Sequence, residues 1–500
     1  MTSGLTDDDL IDVDGERVRC RVEQGLPAML DVGAGAVQVV SGYCFSPTAR
    51  VRSLALWMGE ERNPIEERGE AREDLAARFA AVDSGGYCLT AGFRTLVRVR
   101  PEHAGQTLQV ALEITLANGA HRKVRLSSTK VIVRQSRAQW DIPVRASDGP
   151  LVAICLASYN PTPAAFLRQI DSIIGQTHRN WVCIVCDDVS VPERRAEIEA
   201  VCRRDPRLKV VANDEHVGFY CNFERALRHV PVETDFVALA DQDDYWYPDK
   251  LARCLSAFDP GIELVYSDMR IVRPDGHVAA QSYWTNRKNN YRDLDVVLVA
   301  NTITGAASVF RAGLLDSILP FPERIGDAFH DHWIGSVALM KGQVAYIDTR
   351  LYDYVQHGTS VIGHYDFGRI GWKQRLGRLF RAATARAVAI DLKARMLKVR
   401  RVLLGLYDYE YRRLQLMTAT LRLRFPQRSS EQERILGIFS GPRHSITALL
   451  RLHVKVWRRG ETTEDAELRM VGGCLAHLLN RHYLRLFGAR VMRRLGKVHG

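Results

Sequence analysis

Leu239-Ala-Asp241-Gln242-Asp243-Asp244-Tyr245-Trp246-Tyr247-Pro248-Asp249-Lys250 is the stretch that decides how this chain is read. The apolar run Phe236-Val-Ala-Leu leads into it and predicts a short buried strand. Asp241, Asp243 and Asp244 then fall within four residues. Carboxylates this close raise one another's pKa, and a divalent cation relieves the cost. Their oxygens suit hard ions, Mn2+ or Mg2+. A strand ending in such a cluster places it at the carboxyl edge of a sheet, where open α/β folds bind ligands. An acidic turn leading into a helix explains this stretch equally well by itself, because Asp is common in both turns and N-caps.

The residues upstream repeat the strand-then-polar pattern. The apolar run at 151–156 delivers Tyr159 and Asn160, and the run at 181–186 delivers Asp187 and Asp188. A third strand at 208–211 is followed by Asn213. Between them, Phe166, Leu167, Ile170, Ile173 and Ile174 recur at helical spacing, and further helices are expected over 193–202 and 222–228. Strands alternating with helices predict a parallel, Rossmann-like sheet whose polar strand ends meet in one crevice.

Working outward, residues 15–135 predict an all-β, sandwich-like domain. Strands are expected at Ala36–Phe45, Val51–Met58, 87–100, 108–116 and 122–133, several with strict alternation. A disordered N-terminus covers 1–14 and a linker 136–150, and the α/β domain runs over 151–365. A basic α-helical region occupies 366–500. That region holds 29 Lys and Arg against 10 Asp and Glu, a surplus of 19 in a chain of net charge +11. The preceding residues are therefore net acidic, at about −8. A basic tail with apolar stripes of period near 3.6 predicts peripheral contact with an anionic membrane. A solvated basic face on an ordinary helical domain is the plainer alternative.

There is no signal peptide pattern in the acidic N-terminus, and no apolar run reaches the roughly 18 residues that span a bilayer. The ten cysteines are scattered, and Cys183 and Cys186 lie on one predicted strand, which argues against a metal or redox CxxC. A reducing, cytoplasmic setting follows. Nucleic-acid binding through the basic tail is a third reading, but it lacks any recognised module, with no zinc spacing and no aromatic RNA-binding string, so no nucleic-acid partner is expected.

Eight strings carry a resemblance: ICLASYNP, SIIGQTHRNW, CIVCDDVS, HVGFYCNFERAL, ALADQDDYWYPDKL, TGAASVFR, LPFPERIGDAFHDHWIG and YDYVQHGTSVIG. In this order, over about 151–363, the chain resembles the family 2 glycosyltransferases with a GT-A fold, most nearly their bacterial rhamnosyltransferase-like branch. The resemblance implies that Tyr159, Asn160, Asp188, Asn222, Asp241 and Gln356 hold a nucleotide-sugar donor, Tyr159 and Asp188 at its base and Asp241 near its ribose. It implies a divalent metal at Asp243, Asp244 and His357, and Asp331 as the base that deprotonates the acceptor hydroxyl. Asp327 is the reserve base, and a helix N-cap over 334–339 is the competing reading of Asp331.

The implied activity is inverting, metal-dependent transfer, with dTDP-rhamnose the donor of the branch. The acceptor is a growing cell-surface polysaccharide such as O-antigen, or a lipid-linked glycan at the inner face of the plasma membrane. A non-catalytic nucleotide-sugar- or glycan-binding protein on the same fold is the alternative. Three positions depart from the branch: Val355 replaces an Arg, Ser360 an Asn, and Val189 a Gly.

Overall fold

Strand Val152–Ser158 is apolar at almost every position because helices cover both of its faces. It pairs in parallel with Trp181–Asp187 on one side and Phe236–Ala240 on the other, and Leu208–Ala212 extends this half of the sheet. Helices Pro163–Ile174, Pro192–Cys202 and Gly218–Arg228 make the connections. Parallel strands joined through helices end at one rim, so Tyr159, Asp188 and Asp241 reach the same edge. Cys183 and Cys186 are both buried and unpaired there, as small apolar residues. The structure is a computed structural model that describes residues 10–356 and 392–496, apart from 80–81, 84, 136, 140–148, 285–287, 461–462 and 464.

The other half of the sheet is mixed. Ser308–Arg311 lies antiparallel to Phe236–Ala240, Ile262–Val272 follows, and Gln343–Val355 runs parallel to that strand. Tyr245–Trp246 folds back onto Tyr352 and Asp353. This clips the acidic turn to the far end of the sheet. The Tyr247 hydroxyl donates to Asp353 at 2.6 Å, and Arg270 grips the same carboxylate at 2.7 and 2.6 Å. The Rossmann-like α/β architecture is thus present.

Before it stand two five-stranded sheets packed on a shared core that includes Val18, Leu56, Phe93 and Leu112. Two expectations need correction. Leu10–Val13, inside the stretch expected to be disordered, forms a hairpin with Glu16–Gln24. Asp14 and Gly15 supply its turn with φ of 48° and 86°, the left-handed pair that a tight hairpin needs. The strand expected from 87 starts only at Gly92. Tyr87–Thr90 is a helical turn, because Cys88 and Leu89 sink into a side cluster with Phe79 of helix Glu73–Phe79.

The C-terminal helices are Leu392–Leu406, Arg412–Arg424, Ser430–Leu436, Pro442–Arg458 and Ala466–Gly496. Residues 366–391 of the expected basic helical region lie outside the described residues. Part of the basic surplus serves the interior. Tyr411, Leu414 and Leu421 join the core of the α/β domain, while Leu416 and Ala419 pack on Val37 and Val39 of the sandwich. Arg412 pairs with Glu70 and Arg400 with Glu73.

Arg424 is buried and donates to the carbonyls of Gly35 (2.8 Å), Ser317 (2.8 Å), Ile318 (3.0 Å) and Pro320 (2.6 Å), joining three parts of the chain. Arg424→Ala orphans those carbonyls, and urea unfolding is expected to show a loss of about 3 kcal/mol. Among the described residues no helix is long and apolar enough to cross a membrane.

Candidate functional site

The first loop of the crevice is locked from two sides. Gln242, inside the acidic turn, accepts from the Tyr159 amide at 2.8 Å and donates to the Tyr159 carbonyl at 3.3 Å. Asn160 has a φ of 43°; its amide donates to Ser190 Oγ at 2.7 Å and its Oδ1 accepts from the Val191 amide at 2.8 Å. Val189 adopts a φ of 62°, a left-handed conformation that a β-branched residue avoids and a glycine adopts freely. The bonds of Asn160 on one side, and of Asp187 to the Ser190 amide and hydroxyl on the other, hold it there. Val189 keeps the turn in this conformation at that cost.

Asp188 is buried, and loop 213–218 closes around it. Oδ1 accepts from the Val217 amide (2.9 Å) and Asn213 Nδ2 (2.8 Å); Oδ2 accepts from the Gly218 amide (2.8 Å) and lies 3.0 Å from His216 Nδ1. Gly218 starts its helix at a φ of 78°. Asn222 is also buried. It donates to the Cys186 carbonyl at 2.9 Å and accepts from Asn213 at 3.0 Å. Both residues are buried at this strand end. The Tyr159 ring is exposed, with the His216 ring 4.5 Å away. His216 was missed in the sequence, although it opens one of the eight strings. Asp188→Ala strands several donors at once, and equilibrium denaturation is expected to register about 3 kcal/mol.

The acidic turn meets opposed forces. Burial raises Asp241 to about 7, and the charges of Asp243 and Asp331 add to that rise. Asp331 is therefore near enough to the acidic turn for its charge to act on Asp241. Burial, then Asp241 and Asp243, hold Asp244 well above the ordinary carboxylate range. Its Oδ1 accepts from the Val355 amide at 3.1 Å, and its buried Oδ2 has no hydrogen-bond partner. The backbone of Val355 thus anchors the turn. Arg168 donates to the Asp243 carbonyl at 2.7 Å and so fixes its backbone.

Lys250 lies beneath, fully buried. Its ammonium donates to the Ala306 carbonyl at 2.5 Å and sits 3.6 Å from the centre of the Trp246 ring. Burial lowers it to about 7, while Cys254, Asp244 and Asp241 pull the other way. Lys250→Met removes the buried cation that Asp241 and Asp244 act on. The melting curve is expected to show a loss of about 3 kcal/mol, with Mn2+ recovering more of it than it adds to the parent chain.

The expected helix around Asp331 starts earlier than predicted. It spans His330–Lys341 with Phe329 at the N-cap, which puts Asp331 in the first turn and rules out the capping role. Asn301 Nδ2 donates to Asp331 Oδ1 and the Gly305 amide to Oδ2, each at 3.2 Å. Burial raises Asp331 to about 6, and backbone donors including Gly305 oppose it. Gly305 is required here because a Cβ would lie 2.5 Å from His330 Nε2. His330 stacks on Phe223 with centroids 3.8 Å apart, and neither ring nitrogen has a partner. Burial drops it to about 3, so the ring beside Asp331 is neutral. Asp327, the reserve candidate, offers its carbonyl to Arg413. The Gln356 amide donates to Val272 at 2.9 Å, continuing the sheet. His357 lies outside the described residues.

Comparison with known proteins bears on the family of this region. Residues 153–319 match the family model described as Glycosyl transferase family 2. The Escherichia coli UDP-Glc:alpha-D-GlcNAc-diphosphoundecaprenol beta-1,3-glucosyltransferase WfgD is 30% identical over 126 residues, 25% of this chain and 48% of that protein. The putative teichuronic acid biosynthesis glycosyltransferase TuaG of Bacillus subtilis is 31% identical over 107 residues, 21% of this chain and 41% of that protein. The chain thus spans less than half the length of these two relatives. Among solved structures, S. aureus TarS 1-349 with UDP-GlcNAc aligns at a TM-score of 0.38 and 15% identity, covering 68% of this chain and 92% of that one. Residues 153–319, with the acidic turn at their centre, are a glycosyl transferase family 2 domain.

Proposed function

We propose that the chain is an inverting, metal-dependent glycosyltransferase. It would move a sugar from a nucleotide-sugar donor to a cell-surface polysaccharide or its lipid-linked precursor. The observation that supports this reading is that Asp331 lies near enough to Asp241 for its charge to act there, with burial raising both carboxyls. Two carboxyl groups with separate surroundings suit two jobs.

The donor set fits a hard cation. Asp241, Asp243 and Asp244 offer only oxygen, and the buried Asp244 Oδ2 lacks a partner that an ion would supply. Asp243 and Asp244 would hold Mn2+ or Mg2+, with His357 as the further ligand. Such an ion neutralises charge on the departing diphosphate. Tyr159 would stack on the donor base, and Asp188 and Asn222 would shape the floor under it. Asn160, Asp241 and Gln356 complete the donor pocket. Asp331 would take the proton from the acceptor hydroxyl while Asn301 and Gly305 hold the carboxylate in place.

The test is donor hydrolysis with Mn2+ across dTDP-rhamnose and the common UDP- and GDP-sugars, assayed as released nucleoside diphosphate. Chelator-sensitive release from one donor supports the reading and names that donor. Binding of a donor without turnover, even with acceptor glycans present, would favour the non-catalytic alternative.

A further inference from the structure

Helices Pro442–Arg458 and Ala466–Gly496 pack against each other, and both bury residues in the core of the α/β domain: Leu449, Leu452 and Val456 from one, Met470, Val471 and Cys474 from the other. Their outer sides are not polar. Leu450, Val454 and Trp457 repeat at spacings of four and three on the first, and all are exposed. Leu475, Leu479, Tyr483 and Leu486 do the same on the second. Trp457 is 74% exposed, Leu479 68% and Leu486 61%, far more than isolated surface residues of ordinary helices need.

Cations border these rows. Arg443, Arg451 and Arg458 are exposed on the first helix and Arg485 on the second. Lys455 and Arg459 do not count among them, because they pair with Asp295 and Asp293. Arg481 and Arg485 both lie over Gly69, at 3.4 Å from where its Cβ would be. Burial, then the like charges of Arg481, Arg50 and Arg443, hold the Arg485 guanidinium below its usual value. Positive charge is therefore crowded at this end of the helix pair, a condition an anionic surface relieves.

We propose that the outer side of this helix pair docks on an anionic lipid bilayer, with the Leu and Trp side chains in the acyl boundary and the arginines at the headgroups. An exposed apolar row with a cationic border is the composition of an interfacial helix. The 31-residue helix is not apolar enough to span, so it lies in the plane. A second copy of the chain fits worse, because a twofold contact would bring like-charged borders together. The proposal deepens the reading of a lipid-linked acceptor, and donor release in solution reports on that reading separately.

The experiment is flotation of the full chain with vesicles of phosphatidylcholine alone or mixed with phosphatidylglycerol. Binding is expected only with phosphatidylglycerol, and high salt should weaken it. Arg443→Gln and Arg485→Gln should each lower partitioning by about fivefold. Leu479→Glu and Trp457→Glu should each lower it by at least about tenfold. These side chains are exposed, so melting temperature and donor release should stay at the parent values. A chain that releases nucleotide but does not float overturns the docking surface alone. Flotation unchanged in all four variants also overturns it, as does a dimer split by Leu479→Glu. A chain that floats but turns over no donor overturns the transferase reading alone.

Discussion

Asp243→Ala is expected to lower release of nucleoside diphosphate by about a thousandfold at saturating Mn2+. The reason lies in the neighbours. Asp244 has one oxygen engaged with the Val355 amide and is fully buried, and Asp241 is crowded by Asp243 and Asp331. Asp243 is half-buried where Asp244 is fully buried, and its backbone is held by Arg168. On the proposed reading, removing it would take a ligand from the cation, but it also takes a like charge from the turn. The variant should therefore melt no lower than the parent without metal, while the rise in melting temperature that Mn2+ gives the parent should shrink. Loss of activity with an unchanged Mn2+ shift would assign the cation to other residues. Calorimetry of the donor with and without Mn2+ completes the test: the metal-dependent part of the affinity should vanish in the variant.

Asp331→Asn is expected to cut transfer to the acceptor by about a thousandfold, the scale of a lost general base, while donor affinity stays near the parent value. The amide keeps the shape and can still accept from Asn301 or Gly305, so the fold has little reason to change. The parent should show a matching pH dependence. A base works only when ionised, and burial lifts this carboxyl to about 6. Transfer should therefore rise as pH increases through about 6 and level off above it. The residual rate of the Asn variant should lack that limb. The same rise has a stability side. The folded state holds the proton up to about 6 and the unfolded chain releases it near 4, so this group makes the fold less stable as pH climbs through that window. Asn should remove this contribution. A variant with parental transfer would return the role to another group, and Asp327 would be tested next.

Much of the α/β domain was legible because its signals are local. Continuous apolar runs marked the buried parallel strands, and each was followed at once by the polar residues that the sheet brings to its rim. The mixed half of the sheet was harder. Ile262–Val272 and Gln343–Val355 meet across a separation in sequence that no periodicity reports. The hairpin from Leu10 had a local signal in Asp14-Gly15, but the acidic composition around it hid the signal. The strand expected from 87 failed for the opposite reason: Cys88 and Leu89 are apolar, and tertiary burial against Phe79 put them in a turn.

The candidate site divides in the same way. The sequence alone determined which residue types stand at the strand ends, because a carboxylate or an aromatic ring after an apolar run is written in consecutive letters. Only the tertiary structure decided what each one touches. Asp188 turned out to be enclosed by the loop that ends in Gly218, and Asn222 to be tied to Cys186 and Asn213. Nothing in the letters around Pro248-Asp249 marks Lys250 as buried, yet it is the buried cation beside Asp241 and Asp244. The basic tail likewise divides into arginines that clasp the interior, as Arg424 does, and arginines that border an exposed apolar face. The physical reason is common to all of these. Chemistry and periodicity are properties of neighbours along the chain, while burial, hydrogen-bond satisfaction and pKa depend on neighbours in space, which folding alone supplies.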